Sequence, residues 1–461
     1  MSWLPVGISI LAADFSAITV MGQPAWGYRH DLELLVMTLG YPLMAPVVIL
    51  VFLPFYAKLN LYTAYEYLER RFNLRVRLAT SILFQLLRSS HVGIAIYAPS
   101  LVIGLITGLP VWKCIIFMGL ISTVYSTLGG MKAVIWTNVI QFIMAMMGIS
   151  LVFYSAISRI NGGAITAFRT ALDAGRLRIL NFSTDPTQLT SLWACLLGGS
   201  VLCLASLTID QAILQRLFTT KSYKDCRRSI ILQAVTVVPA SLMLCLVGTA
   251  LFAFYHFHSD HLVGLNSEDA IMPFFAIREL PYGVSGLLVA SIFAASMAVM
   301  SAGISALTTA STVDIYQRLF RPNETAQHYA AVGRIGTACW GLAATFLALF
   351  AKYLGELVNA YNRVSSYICG PLLGIFLLGI LTRRTTSGGS LIGAVAGLFL
   401  VSWVGLRSQW SFLYLSVIGL VATLIVGYAA SLLMEPPPTA QIRGLVMGLE
   451  VDEHAVAGQR V

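Results

Sequence analysis

Charge is what this sequence has least of. Asp, Glu, Lys and Arg together supply 11% of its 461 residues, where a soluble globular chain carries about 25%. So few charges cannot cover the water-facing surface of a soluble fold of this length. The 57% hydrophobic content excludes a disordered chain as well. Cysteine is sparse: seven residues with no C-x-x-C spacing indicate neither a disulfide framework nor a zinc site. Catalytic signatures are missing too. There is no HExxH, no GxSxG and no Walker A motif, so the chain is not expected to be an enzyme or a nucleotide-driven pump. The formal net charge of +9 bears on membrane topology rather than on nucleic acid.

Long apolar runs are what the sequence has instead. A helix needs about 20 such residues to cross roughly 30 Å of hydrocarbon. Runs of that kind fall at about 3–28, 34–56, 78–108, 110–128, 133–158, 188–211, 229–255, 283–314, 335–351, 361–381, 387–405 and 410–433. They do not alternate polar with apolar, as barrel strands do. The expectation is an all-α polytopic membrane protein with about 12 transmembrane helices, one transporter-sized domain over 1–435 and a tail over 436–461. Alternating the spans across the bilayer leaves about twice as many Lys and Arg on the N-terminal side. That bias predicts a multi-pass protein of the cell membrane with both termini cytoplasmic. No basic segment precedes the first apolar run, so it does not read as a cleaved signal peptide. Two connections, about 159–187 and 256–282, are longer than simple turns. The second holds His256, His258, Asp260 and His261, which fit either a solvated loop or a transition-metal cluster.

Polar residues at membrane depth carry the functional signal. Asp14 lies near the middle of the first span, with Ser9, Ser16 and Thr19 close by. A carboxylate there costs roughly 2.5–3.5 kcal/mol and needs a cation, a donor or a wet cavity. It reads either as a hydrogen-bonded group at a helix contact or as part of an ion or proton path. The sixth span carries Asp210 and Gln211 after Ser206 and Thr208; Asp210 can meet the nearby Arg216 and Arg227 at the interface. Each of these two spans heads a set of five. An odd number forces the second set to enter the membrane inverted, as in transporters whose first repeat helix is interrupted. Repeat one would cover about 3–158, repeat two about 188–381, and two further helices about 387–433. The eighth span is rich in Ala, Ser, Thr and Gly, which suits close packing or cation ligation equally. Gly129 and Gly130, followed by Lys132 and Trp136, read as a tight turn.

At four places the sequence resembles the sodium/solute symporter family, which includes sodium-coupled sugar, proline, sialic acid, monocarboxylate, iodide and vitamin carriers. These are ILAADFSAITVMGQPAWGY in the first span, FLPFYAKLNLYTAYEYLERRFN at 52–73, YSTLGGMKAVIWTNVIQF at 125–142, and DQAILQR at 210–216. The third matches the family pattern Y-S-x-x-GG-x-x-A-V-x-x-T-D-x-x-Q except that Asn138 replaces the Asp. The exit TTASTVDIYQRL of the eighth span adds to these. YAPSLVIG at 97–104 and CGPLLGIFLLGI at 369–380 look most like the branch handling monocarboxylates, iodide and vitamins.

The resemblance implies an inverted five-plus-five helix repeat with broken first helices. It also implies a sodium site between the first and eighth helices. Ala12, Phe15 and Ala295 would supply backbone carbonyls, with Asp14 beside them. Thr19 would face the solute, and Ser206 stands where the sugar carriers have a gate aromatic. Where the family has two hydroxyl residues on the eighth helix, this chain has Ala298 and Val299. Neither offers an oxygen, and Ser301 sits one turn further on. Family members carry an additional helix ahead of the first span, where this chain reads Met1-Ser2-Trp3; that helix lies outside the ten-helix core. Arg88 and Arg363 are candidates to meet a carboxylate, or else are snorkelling or capping residues. The expected activity is secondary active symport of a small organic solute with Na+ as coupling ion and no tightly bound cofactor. The alternatives are a sodium-independent or proton-coupled carrier on the same scaffold, with Asp14 carrying the proton, and a membrane sensor.

Overall fold

The computed structural model describes residues 1–59, 63–128, 131–265 and 267–448. The Gly129–Gly130 turn and residues 449–461 of the tail lie outside them. Among the described residues there is no strand. Ten helices are long and apolar enough to span a membrane; the bent pair Trp3–Asp14 and Ala17–Arg29 forms one more crossing, and Val111–Thr127 is a shorter apolar helix. These correspond in order to the expected spans. We number them α1 (Trp3–Asp14 and Ala17–Arg29), α2 (Leu35–Tyr56), α3 (Leu74–Thr107), α4 (Val111–Leu128), α5 (Met131–Ser158) and α6 (Leu192–Ile209 and Gln211–Leu217). The rest are α7 (Tyr223–Phe257), α8 (Tyr282–Phe320), α9 (Ala326–Ala348), α10 (Leu357–Leu381), α11 (Ser387–Arg407) and α12 (Phe412–Leu432). Several begin or end in polar sequence beyond the apolar run. The start of α3 at Leu74 takes in Arg75 and Arg77, because a capped helix continues past the hydrocarbon once Asn73 accepts from the Val76 N–H at 3.1 Å.

The packing carries the inverted repeat. α1 packs on α7 and α6 on α2; α5 packs on α8 and α10 on α3; α4 packs on α8 and α9 on α3; α1 packs on α5 and α6 on α10. Adding or subtracting five turns each contact into its partner, while α3·α8 and α4·α9 map onto themselves. This is the pattern of a pseudo-two-fold axis relating α1–α5 to α6–α10. α11 and α12 lie outside it, against α10 and α6.

Two apolar cores stack along the helices, and a polar layer separates them. One core takes Val6 and Ile10, the other Leu11 and Ile18; the handover recurs between Phe84 and Val92, Ile135 and Ala145, Ala234 and Val237, and Ala360 and Cys369. Asp14, Arg88, His91, Asn138, Gln233, Asn362 and Ser365 lie at or beside those handovers. Polar side chains at this depth need partners or water, and the cavities described below lie at this level.

The end bearing Met1 is tied by buried charge. The last turns of α8, Ala310–Phe320, are π-wound, and they bring Asp314 to Arg77 at 2.5 Å, to Thr63 at 2.8 Å and to Ser81 at 3.2 Å. Arg77 also reaches Glu69 at 2.6 Å. The tail folds back here: Gln441 donates to the Phe72 carbonyl at 2.9 Å, and Tyr67 donates to the Leu445 carbonyl at 3.0 Å.

Candidate functional site: two broken helices around paired cavities

The α1 crossing bends by 58° at Phe15 and Ser16. Its second half is started by Ser16, whose Oγ accepts from the Ile18 N–H at 3.1 Å and the Thr19 N–H at 3.4 Å. Thr19 returns its hydroxyl proton to the Asp14 carbonyl at 3.1 Å. Short hydroxyl side chains thus offer the backbone an alternative to continuing the helix. Phe15 N–H still reaches the Leu11 carbonyl and Ser16 N–H turns to Asp14, so the carbonyls of Ala12 and Phe15 accept no backbone hydrogen bond from the described residues.

The α6 crossing breaks at Asp210, which adopts an extended conformation with ψ 112° and caps Gln211–Leu217 by accepting the Ala212 N–H at 2.8 Å. Here two of the freed carbonyls are covered. Tyr56 donates to Thr208 at 2.8 Å and Tyr65 to Ile209 at 3.0 Å. Among the described residues the breaks differ in one respect: tyrosine hydroxyls cover the two carbonyls next to the α6 break, and no side chain does so at Ala12 and Phe15.

Two cavities open between the helices. One, with about 650 Å³ of empty space, is lined by Asp14, Phe15, Ile18, Thr19 and Gln23 of α1, by Met37, Thr38 and Tyr41 of α2, by Val237 and Ser241 of α7, and by Val358, Tyr361 and Asn362 of α10. The other, with about 730 Å³, is lined from α2, α3, α6 and α10 and contains Arg88, His91, Ser206, Asp210 and Ser365. They share Met37, Thr38, Tyr41, Tyr361 and Asn362, so these five residues, the two tyrosines among them, border both cavities.

Arg88 is 5% exposed and sits inside the bundle rather than at an interface. Its Nη1 bonds Asp210 Oδ2 at 3.0 Å and approaches His91 Nδ1 at 3.1 Å; its Nε and Nη2 have no partner among the described residues. Asp210 accordingly meets Arg88 and not the nearby arginines. Arg216 is buried against Ser9, 3.0 Å away, and the Ala212 carbonyl, while Arg227 is exposed. Arg363 is exposed and lines neither cavity. Asn138 stands with Ser9 against the Arg216 guanidinium, so no carboxylate occupies its position there.

The expected residues are thus brought together only in part. Thr19 and Asp14 share one cavity, Ser206 and Arg88 the other. Ala295, Ala298 and Val299 are buried on α8, which packs against α1, and the Ser301 hydroxyl donates to the Ala298 carbonyl at 3.1 Å. No α8 residue lines either cavity. Asp14 instead accepts from the Gln233 amide of α7. Gln233, Tyr41, His91 and Tyr361 join these sites without a motif that marks them; a lone Gln in the run SIILQAVTVV is the sequence signal for the first. The histidine loop forms no ligand cluster among the described residues. His258 stacks on Phe254 with ring centroids 4.5 Å apart, and His261 pairs with Glu279 at 2.7 Å.

Two inverted five-helix repeats, each with an interrupted leading helix beside a mid-depth cavity, define a secondary transporter. The comparisons with known proteins agree. The model of the sodium:solute symporter family matches residues 1–397. The sodium/sialic acid symporter NanT of Aliivibrio fischeri is 32% identical over 427 residues, covering 92% of this chain and 84% of that one. The human sodium-coupled monocarboxylate transporter 1 is 32% identical over 417 residues, 89% of this chain and 67% of that one. The solved substrate-bound, outward-open state of a Na+-coupled sialic acid symporter superposes with a TM-score of 0.86 at 27% identity, covering 95% of this chain and 91% of that one. The chain belongs to the sodium:solute symporter family. It is a multi-pass membrane protein and a secondary active symporter working by alternating access.

Proposed function

We propose that this chain carries a small carboxylate solute together with sodium. The observation that carries the solute class is Arg88: a buried guanidinium at a cavity wall with two N–H-bearing nitrogens unpartnered. Arginine's planar fork pairs with carboxylates through two hydrogen bonds. The Ser365 hydroxyl, also buried without a partner, lines the same cavity with Ser206 and adds polar contacts for the rest of the solute. The named substrates of two relatives, sialic acid and monocarboxylates, are themselves carboxylates.

Sodium would bind at the α1 break, on the carbonyls of Ala12 and Phe15 with Ala295 opposite and the charge of Asp14 nearby. Hard monovalent cations take oxygen ligands, and the C-terminal end of the half-helix Trp3–Asp14 is the negative pole of its dipole. The Met1 end faces the cytoplasm of the cell membrane, supported by the excess of Lys and Arg there. Inward transfer of each charge down a 100 mV potential supplies roughly 2.3 kcal/mol. Thr19 in one cavity and Ser206 in the other would contact solute in successive states.

The test is thermal unfolding of the purified chain with lactate, sialic acid, lactamide or glucose, in sodium or potassium salt. Stabilisation by either carboxylate, in sodium only, and its absence for lactamide and glucose, is the expected result. Stabilisation by glucose with none by the carboxylates would overturn the solute class. Equal stabilisation in potassium would favour the sodium-independent carrier.

A further inference from the structure

The Asp14 side chain is engaged from α7. Its carboxylate accepts from Gln233 of α7, and the cavity it lines is walled by α1, α2, α7 and α10. A second set of oxygens gathers around that carboxylate. Gln233 is wholly buried and its Oε1 has no partner among the described residues. The Tyr41 hydroxyl neighbours the same carboxylate. The Thr19 hydroxyl, having given its proton to the Asp14 carbonyl, keeps its lone pairs free. The last turn of the half-helix that Asp14 ends holds no basic residue, and Arg88 is engaged by Asp210. One carboxylate among neutral oxygens suits a monovalent cation; divalent sites gather more charge.

We propose that Asp14, Gln233 and Tyr41 form a monovalent-cation site of their own on the α7 side of the α1 break, apart from the Ala12–Phe15–Ala295 position. On binding, the Gln233 amide turns over: its Nε2 releases Asp14 and its Oε1 faces the ion. Gln233, Val237 and Ser241, four residues apart, form one stripe of α7, and Thr19 and Gln23 form one stripe of α1. Gln23 Nε2 donates to Ser241 Oγ at 3.5 Å, and the buried Gln23 Oε1 is unpartnered. Ser241 lies about 12 Å along the axis from Gln233, so this pair lines the approach and does not ligate. Tyr41 borders both cavities, which places an ion held there against the wall of the solute cavity. The absence of hydroxyls at Ala298 and Val299 then leaves sodium coupling possible.

The proposal rests on the sodium-coupled reading, and the experiment separates the two. Equilibrium ²²Na⁺ binding to the purified full chain, without solute, is measured for wild type, Gln233→Leu, Gln233→Glu and Tyr41→Phe. The expectation is at least a tenfold rise in the half-saturating sodium concentration for Gln233→Leu, a smaller rise for Tyr41→Phe, and binding as tight as wild type or tighter for Gln233→Glu. Unaltered binding in Gln233→Leu overturns the site and leaves sodium coupling standing. No binding by wild type overturns both. Should Gln233→Leu fail to fold, the opposite shifts of Tyr41→Phe and Gln233→Glu support the site, and their absence overturns it.

Discussion

Arg88 of α3 and Asp210 at the break of α6 meet at 3.0 Å inside the bundle, although 122 positions separate them in the chain. The pair joins a helix of each repeat at the wall of the larger cavity. Asp210 uses its other oxygen as a helix cap, so the carboxylate is held in place and the guanidinium is aimed by it. Neutralising one partner strands the other, which for buried pairs costs about 3–5 kcal/mol.

Arg88→Ala is expected to lower stability by about 3 kcal/mol and to abolish carboxylate-induced stabilisation. Arg88→Ala combined with Asp210→Asn should recover most of the stability and none of the solute response. Arg88→Lys keeps the charge but loses the fork geometry, so its solute response should stay at least tenfold weaker. Thermal unfolding with and without lactate reads all three. A double variant that regains the solute response would show that Arg88 only supports Asp210.

The α1 break depends on Ser16. Removing its side chain leaves the Ile18 and Thr19 N–H groups without the acceptor they use. Ser16→Ala should cost about 1 kcal/mol and Ser16→Thr less, since Thr also caps. Sodium-activated uptake by reconstituted vesicles should need severalfold more sodium in the Ala variant. Unchanged stability and unchanged sodium activation would mean that packing alone sets the break.

The crossings were legible in the sequence because uninterrupted apolar runs of membrane length have few other readings. The inversion followed from the odd number of helices per repeat, and the α1 break from that repeat arrangement together with the family resemblance. What stayed hidden were pairings set by the tertiary fold. Asp210 has Arg216 and Arg227 close by in the chain, yet Arg216 turns to Ser9 and Arg227 to the surface. Arg88 looked able to snorkel because a linear reading cannot tell a lipid-facing position from one facing a cavity. The resemblance implies Asp14 beside a site between α1 and α8 and says nothing of α7, where Gln233 offers its carboxylate a donor.

The buried cluster at the Met1 end allows a coupling measurement. Asp314 has no solvent exposure and takes hydrogen bonds from Arg77, Thr63 and Ser81. Asp314→Ala should cost about 3 kcal/mol. Arg77→Met should cost a similar amount, because Asp314 is then left charged among two hydroxyls. The double variant should lose at least 1 kcal/mol less than the sum of the two single losses, the signature of a direct pair. Additive losses in thermal or denaturant unfolding would mean that the cluster is held by packing alone.

At the opposite end, Asp269 gives a pH prediction. Burial raises its carboxyl from 3.8 to about 6, against the pull of the Arg29 guanidinium, while one oxygen accepts the Leu357 N–H that starts α10. A raised carboxyl value means that the folded protein carries the charged form at a cost. That cost is present above about pH 6, shrinks as protonation relieves it, and vanishes below the unfolded value near 3.8. Asp269→Asn keeps an oxygen for the Leu357 N–H and carries no charge. It should therefore be more stable than wild type by about 2 kcal/mol at pH 7.5, with the difference closing between pH 6 and pH 4. Paired thermal unfolding curves across that range check both sign and window. An Asn variant that is less stable at pH 7.5, or a difference that does not change with pH, would show that the ionised carboxylate is instead favoured by Arg29.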